Sequence, residues 1–276
     1  MDKLKVGICQ MIITTDKDKN LEKAENMVNK AVEKGAKLVV LPEIFNCPYS
    51  NKYFPKFAES YPEGRTIKFL SNLAKEKNIY LIGGSIPERD KEGNIYNTSY
   101  TFDNKGNILG RHRKVHLFDI DIEGGISFKE SDTLSYGKDI TVFDTDYGKM
   151  GVAICYDIRF PELIRLMALK GARIIIIPAA FNMTTGPAHW DPLFKVRALD
   201  NQVYMIGAAP ARDENSPYVS YGNSIITDPW GSIVNKLDEK EGILVEDLDL
   251  GKIDKIRNQL PLLKHRRTDL YDLKLI

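Results

Sequence analysis

The sequence predicts a four-layer αββα sandwich, an α/β fold in which two sheets pack face to face and helices cover both outer faces. The first observation is an internal repeat, because residues 33–46 (EKGAKLVVLPEIFN) and 169–182 (LKGARIIIIPAAFN) are identical at 6 of 14 positions. The second is that the resemblance continues, with residues 82–90 (IGGSIPERD) matching 206–213 (IGAAPARD). Two similar halves, each with an apolar sheet face to bury, are built most simply as two packed sheets related by a pseudo-twofold repeat.

Each copy of the repeat predicts the same local structure. It reads as the end of a helix, a Gly-Ala turn, a β-branched strand buried on both faces, and a proline where the strand stops. Both halves then share the order strand, helix, strand, helix, strand, hairpin. Helical spacing also places five apolar side chains on one face of residues 20–36, namely Leu21, Ala24, Met27, Val28 and Ala31.

No linker or change of composition divides the 276 residues, so we expect one domain over residues 1–276. The tail, about residues 255–276, lies beyond both repeats and is apolar enough to require a surface to pack on. We expect this tail to lie at a subunit interface, which predicts a homodimer.

Bulk charge gives no sign of a polyanionic partner. The chain has 39 Lys and Arg against 38 Asp and Glu, so neither nucleic acid nor an anionic membrane is indicated, and the expected partner is a small molecule. Three cysteines without paired spacing are typical of a reducing compartment, which favours the cytoplasm. No secretory h-region or long apolar span is present in the sequence.

The repeat supplies an internal control for Glu43. Glu43 follows the proline that ends the first strand, and its counterpart in the second copy is Ala179, so folding does not require a carboxylate there. The alternative is a solvated loop glutamate. Loops at the carboxyl ends of buried strands are where α/β folds gather reactive groups, which favours a functional interpretation.

Cys155 ends the apolar run MGVAIC and comes shortly before a helix that begins near Pro161. The backbone N–H groups of the intervening turn would point toward its sulfur, a setting that lowers a thiol pKa and supplies an oxyanion donor. Position alone also fits a buried structural cysteine. We assign Cys9 to the core, and Cys47, on a loop near Glu43, to a structural or pocket-lining role.

A cysteine nucleophile needs a base, and histidine is the usual first candidate. None of the four histidines has a sequence context that orients it, so a Cys-His pair ranks second: they are His112, His116, His189 and His265. In the run RHRKVHLFD, alternation separates Arg111 and Arg113 from His112 and Lys114, so one pair can face inward. A lysine beside a thiol would favour thiolate and hold a developing oxyanion.

These three stretches together resemble the signature sequences of the nitrilase, or carbon-nitrogen hydrolase, superfamily. Pro42 and Glu43 follow a buried strand, RKVHLFD contains Lys114, and CYDIRFPE contains Cys155. The resemblance implies a catalytic Glu43–Lys114–Cys155 triad, with the backbone N–H of Tyr156 as an oxyanion donor. It also implies a role for Glu130, in ISFKESDTL, which the residues by themselves do not reveal. No metal or other cofactor is implied, and no zinc-type Cys/His spacing is present.

Within the superfamily, residues 181–190, 195–204 and 210–224 most resemble the omega-amidase branch. That branch is implied to hydrolyse the terminal amide of 2-oxoglutaramate or 2-oxosuccinamate through a cysteine thioester. N-carbamoyl amino-acid hydrolases and the amidase acting on deaminated glutathione share the triad motifs and remain alternatives, as does a binding module without turnover. A dicarboxylate monoamide needs a cation for its free carboxylate, and Arg159 is the best-placed candidate. Further candidates for the pocket wall are Tyr49, His116, Phe118, Met183 and Thr185.

Overall fold

Two β-sheets face each other across an apolar layer in the computed structural model, which describes residues 3–123 and 127–276. The first half contains β1 (Lys3–Gln10), α1 (Lys17–Glu33), β2 (Leu38–Val40), α2 (Phe54–Phe57), β3 (Glu59–Ser60), α3 (Arg65–Lys77), β4 (Tyr80–Ile82), β5 (Ile86–Arg89), β6 (Ile95–Phe102) and β7 (Ile108–Arg113). A ribbon of β8 (Asp119–Asp121) and β9 (Ser127–Lys129) follows, and then a 3₁₀ turn over Glu130–Asp132.

The second half begins with β10 (Thr141–Phe143) and β11 (Met150–Val152), followed by a 3₁₀ turn over Cys155–Arg159. The remaining elements are α4 (Pro161–Leu169), β12 (Ile174–Pro178), α5 (Gly186–Asn201), β13 (Tyr204–Ala208), β14 (Ile225–Thr227), β15 (Ile233–Lys236), β16 (Gly242–Asp249) and α6 (Gly251–Gln259). Among the described residues, no helix is both long and apolar enough to cross a bilayer.

Six of the eight strands of the first sheet have the same order as the six strands of the second, as the repeat predicts, and the other two are β3 and β5. The order β16-β1-β2-β4-β6-β7 in the first sheet corresponds to β10-β11-β12-β13-β14-β15 in the second. In each sheet three central strands run parallel and the strand at one edge is antiparallel to them. Strand β16 joins β1 over its whole length, so the end of the chain completes the first sheet. The repeat alone does not predict that a strand from the second half of the chain joins the first sheet.

Apolar side chains form three layers that match the four-layer sandwich. The central layer lies between the sheets and includes Ile8 and Val40 from one sheet and Val152 and Ile176 from the other. The outer layers pack α1 and α3 on the first sheet, and α4 and α5 on the second. The predicted fold class is therefore confirmed.

The turns of the repeat also follow the prediction, with one difference. Gly35 and Gly171 have φ values of 92° and 99°, which lie in the left-handed region that glycine adopts without strain. Strand β2 ends two residues before Pro42, whereas β12 continues to Pro178, which pairs with Ala208. The ladder tolerates this proline because Ala179 N–H continues it, donating to Ala208 O at 2.8 Å.

Candidate active site

Three strand ends bring the predicted reactive side chains together. Glu43 lies three residues after β2, Lys114 directly follows β7, and Cys155 lies three residues after β11. All three are buried, with exposed fractions of 1%, 0% and 4%. The first two belong to one sheet and the third to the other, so the site lies where the two sheets meet.

The carboxylate of Glu43 accepts three N–H hydrogen bonds. Its Oε1 accepts from Asn97 Nδ2 at 2.9 Å and from Lys114 Nζ at 3.1 Å, and its Oε2 accepts from Ala180 N at 2.6 Å. Ala180 belongs to the second copy of the repeat, so the second half of the chain helps to orient Glu43. Three donors fix the plane of a group that would otherwise rotate freely.

Lys114 is enclosed by two carboxylates. Its Nζ lies 2.9 Å from Glu130 Oε2 and 3.1 Å from Glu43 Oε1. Burial by itself would lower the pKa of this ammonium, but Glu130 and Glu43 outweigh burial and raise the pKa above its usual value. Lys114 therefore stays charged at neutral pH.

Glu130 is held in place on both of its oxygens. Oε2 accepts from Phe118 N at 2.6 Å, and Oε1 accepts from the hydroxyl of Tyr49. Tyr49 also lies beside Lys114, with its hydroxyl 3.3 Å from Nζ. Both oxygens of Glu130 therefore have donors besides Lys114, which suits a carboxylate that holds the lysine ammonium in place.

Burial and the charge of Glu43 keep the thiol of Cys155 protonated. Burial is the larger cause of a thiol pKa well above the usual value, and the charge of Glu43 raises it further, whereas Lys114 lowers it. Burial likewise raises the pKa of the Glu43 carboxyl, against the opposing effect of Lys114. Glu43 and Cys155 each shift the pKa of the other, so the carboxylate lies close enough to the thiol to accept its proton.

The backbone is strained on both sides of the site. Cys155 has φ +47° and Ile44, next to Glu43, has φ +48°, and side chains other than glycine rarely occupy this region. Ile44 N donates to Ser85 Oγ at 2.9 Å, which holds that turn in place. Among the described residues the N–H of Tyr156 has no acceptor, which leaves it free for an oxygen that arrives near Cys155.

A small cavity reaches Glu43 between the two halves of the chain. Its volume is about 30 Å³, enough for a single water. Cys47 lines this cavity and is fully buried, while Cys9 lies in the outer apolar layer against α1. The other lining residues include Tyr49, Ala180, Ala211, Asp213 and Tyr218.

Three of the four histidines have side-chain partners other than Cys155. His112 and His116 both contact the carboxylate of Asp157, and His189 Nδ1 contacts Arg159 at 3.1 Å. The carboxylate of Glu43 raises the pKa of the thiol, whereas no hydrogen bond of the described residues joins an imidazole to Cys155. This arrangement favours the glutamate over the Cys-His alternative.

The candidate pocket residues fall into two groups. Tyr49 and Phe118 contact Glu130 directly, Tyr49 through its hydroxyl and Phe118 through its backbone N–H. Within the described part of the chain, no hydrogen bond joins the remaining candidates to Glu43, Lys114 or Cys155. His116 stacks on Phe160, Met183 is 39% exposed, and the hydroxyl of Thr185 contacts Asn182 Oδ1 at 3.1 Å.

Arg159 lies above the ring of Phe181, 4.9 Å from its centroid, on the turn that contains Cys155. Its Nε is buried without a hydrogen-bond partner, and no carboxylate of the described residues pairs with it. A guanidinium in this state has free capacity for an anion.

Sequence reasoning missed two residues that hold Glu43, Asn97 and Ala180. Ala180 acts through its backbone, which carries no side-chain signal. For Asn97 a signal was present, because the polar run of Asn97, Thr98 and Ser99 lies in the buried strand β6. Consecutive polar residues in a buried strand require a specific reason.

Comparison with known proteins assigns this fold and site to a family. Residues 5–258 match the family model described as carbon-nitrogen hydrolase, and the chain belongs to that family, which confirms the resemblance in the sequence. It is therefore a hydrolase of carbon-nitrogen bonds other than peptide bonds. The chain is 50% identical over 274 residues to the omega-amidase NIT2 of Xenopus tropicalis, covering 99% of each chain. It is 46% identical over 275 residues to the omega-amidase NIT2 of Homo sapiens, covering 100% of this chain and 99% of the other.

Solved structures show the same fold. Nit3 of Saccharomyces cerevisiae, described as a member of branch 10 of the nitrilase superfamily, superposes with a TM-score of 0.90 at 46% identity, over 96% of this chain and 97% of the other. The NitFhit protein of C. elegans gives a TM-score of 0.90 at 33% identity, over 99% of this chain and 67% of the other.

The electrostatics of the site give a test with a defined sign. Glu43→Gln removes a negative charge that raises the pKa of the Cys155 thiol and leaves Lys114, which lowers it. We expect the pH midpoint of Cys155 alkylation by iodoacetamide, followed by peptide mass spectrometry, to move downward. Glu241→Gln, which removes an exposed carboxylate paired with Lys23, is the control and leaves the midpoint unchanged. An upward movement in Glu43→Gln would contradict this account of the thiol.

Proposed function

We propose that this chain is an omega-amidase that hydrolyses the terminal amide of a small dicarboxylate monoamide, such as 2-oxoglutaramate or 2-oxosuccinamate. The observation that carries the proposal is the buried contact of Glu43 and Lys114 beside the thiol of Cys155. The full-length similarity to proteins named omega-amidase supports the choice of substrate class.

In the first step Glu43 takes the thiol proton of Cys155, and the sulfur attacks the amide carbon. The carbonyl electrons move onto the oxygen, where Lys114 Nζ and the N–H of Tyr156 donate hydrogen bonds to the oxyanion. When that intermediate collapses, the C–N bond breaks and the Glu43 carboxylic acid gives its proton to the departing nitrogen. Ammonia leaves, and the acyl group remains on sulfur as a thioester.

In the second step a water molecule enters the position that ammonia has left. Glu43 takes one proton from this water, the hydroxide attacks the thioester carbon, and the C–S bond breaks. The proton held by Glu43 returns to the sulfur, so the acid product leaves and the enzyme is regenerated. Throughout, Glu130 keeps Lys114 aimed at the oxyanion through contacts at both of its oxygens.

Burial makes each of these interactions stronger than it would be in water. Charge that develops on sulfur and oxygen meets an ammonium that is already in place, so little reorganisation is needed during reaction. A raised pKa also makes Glu43 a better proton acceptor than an exposed glutamate. It brings the pKa of Glu43 closer to the pKa values of the groups with which it exchanges protons, namely the thiol, the departing nitrogen and the water.

A substrate panel tests the reaction and the substrate class together. We expect the highest kcat/KM for 2-oxoglutaramate, with lower values for succinamate and the lowest for N-carbamoyl-β-alanine and a simple nitrile. Brief exposure to substrate should add the mass of one acyl group to the Cys155 peptide, with no such addition in Cys155→Ala and an unchanged addition in Cys9→Ala. Preference for the carbamoyl compound would replace the omega-amidase assignment by a carbamoylase.

We assign recognition of the free carboxylate to Arg159. Arg159→Ala should lower kcat/KM for 2-oxoglutaramate by about 30-fold to several thousand-fold, which corresponds to roughly 2 to 5 kcal/mol for a lost buried charge pair. Arg173→Ala, which breaks a surface pair with Asp254, is the matched control and should change kcat/KM less than twofold. Equal kinetics for wild type and Arg159→Ala would remove this assignment.

We also propose that residues 1–276 form one cytoplasmic domain that assembles as a homodimer, with the tail at the interface. Beyond α6 the side chains of Leu270, Tyr271 and Leu275 are more than half exposed, at 75%, 55% and 51%. Apolar groups at this exposure are typical of a surface that a partner covers. Sedimentation equilibrium should give twice the mass of one chain, and removal of residues 268–276 should shift the mass toward one chain. A wild-type mass of one chain would exclude the dimer.

A further inference from the structure

We propose that Asp157 is a positioning residue, which links the turn of the nucleophile to the segment that carries Lys114 and so fixes Cys155 relative to the oxyanion lysine. The inference rests on the proposed function, because it assigns Asp157 a part in the same reaction. Asp157 lies two residues after Cys155 and touches neither its sulfur nor Lys114 Nζ through a hydrogen bond.

The carboxylate of Asp157 is fully buried and accepts four hydrogen bonds. Oδ2 accepts from Ile154 N at 2.9 Å and lies 3.0 Å from His112 Nε2. Oδ1 accepts from His116 N at 2.9 Å and lies 2.8 Å from His116 Nδ1. Each carboxylate oxygen therefore has two partners.

The order of these partners along the chain is what gives Asp157 its role. Ile154 and Asp157 flank Cys155 on one segment, and His112 and His116 flank Lys114 on the other. One carboxylate thus joins the two segments on both sides of the reactive side chains. No backbone hydrogen bond of the described residues joins the segment 112–116 to the segment 154–157.

The two imidazoles are themselves held in place. His112 is 1% exposed, and its Nδ1 lies 3.1 Å from Thr141 Oγ1, so its Nε2 can face Asp157 in one ring orientation. The ring of His116 stacks on Phe160, with centroids 3.6 Å apart and planes 8° from parallel. Both imidazoles that connect Asp157 to the segment 112–116 are therefore fixed in orientation.

A rigid link is needed because the turn of the nucleophile is strained. The left-handed backbone of Cys155 is unfavourable for a residue other than glycine and persists only where its surroundings hold it. Ile154 N–H, the group just before Cys155, is fixed by Asp157. A displacement of about 1 Å in a catalytic group can lower a rate about 100-fold, so a change that leaves the fold intact can still remove activity.

The carboxylate remains charged in this position. Burial would raise the pKa of Asp157, but the hydrogen bonds from His112 and His116 outweigh it and hold the pKa well below its usual range. Asparagine has the same shape but places an NH₂ where Ile154 N–H and His112 need an acceptor. Asp157→Asn therefore breaks the link with a minimal change of volume.

The first test compares two buried aspartates that undergo the same substitution. Asp228 is 4% exposed, and its side chain accepts from Trp230 N at 2.9 Å and Ser232 N at 3.1 Å in a hairpin turn away from the site. For 2-oxoglutaramate we expect Asp157→Asn to lower kcat by 10- to 100-fold with KM within threefold of wild type. Asp228→Asn should leave kcat within twofold, although we expect both variants to be destabilised in urea unfolding.

The second test needs no substrate. Loss of a nearby negative charge would by itself lower the pKa of the Cys155 thiol, whereas displacement of Lys114 raises it, since Lys114 is the cation that lowers this pKa against Glu43 and Glu130. We expect the pH midpoint of Cys155 alkylation by iodoacetamide to move upward in Asp157→Asn. It should remain unchanged in Asp228→Asn.

Three results would overturn the inference: a kcat within threefold of wild type in Asp157→Asn, an equal loss of kcat in Asp228→Asn, or an alkylation midpoint that stays or moves downward in Asp157→Asn. Failure of the proposed function is distinguishable from these. Wild-type protein that hydrolyses none of the amides would remove the function, and the alkylation midpoint would then decide the role of Asp157 alone.

Discussion

The structure of the site depends on one buried ammonium held between two carboxylates. Lys114 has no exposed surface, so its charge is tolerable only because Glu43 and Glu130 lie within 3.1 Å and 2.9 Å. Removal of either carboxylate leaves a cation that is only partly compensated. The same contacts orient the proposed base, the proposed oxyanion donor and the second glutamate relative to one another. The same contacts therefore stabilise the buried charge of Lys114 and set the relative positions of the proposed catalytic groups.

The repeat is symmetric in its fold and asymmetric in its chemistry. Both copies have a proline at or just after the end of a buried strand, but only the first copy continues with a carboxylate, Glu43. The second copy contributes a backbone N–H instead, from Ala180, and this group binds the same carboxylate. Small residues at 179 and 180 leave room for the glutamate of the other half. At this position of the repeat, therefore, one half supplies a carboxylate and the other supplies an N–H that orients it.

Much of this was accessible from the sequence. The layers, the parallel central strands and the left-handed Gly35 and Gly171 follow from the repeat, because β-branched runs and glycine turns act locally. Alternation along residues 111–114 separated two pairs of side chains, and the structure buries the pair His112 and Lys114. The contacts of Glu130 and Asp157 did not follow, because they join segments far apart in the chain and depend on register between sheets. The pairing of β16 with β1 is another case, since the repeat contains no signal for an exchange between halves.

The pairing of β1 with β16 has a consequence for folding during synthesis. Strand β1 is synthesised long before β16, yet one edge of its hydrogen-bonding ladder is completed only by β16. Until then the nascent chain exposes an open sheet edge and half of an apolar face, features that promote wrong pairing. Pairing between such distant segments also slows the approach to the native topology. Synthesis of β16, and not synthesis of the first half alone, is therefore the event that permits the first sheet to close.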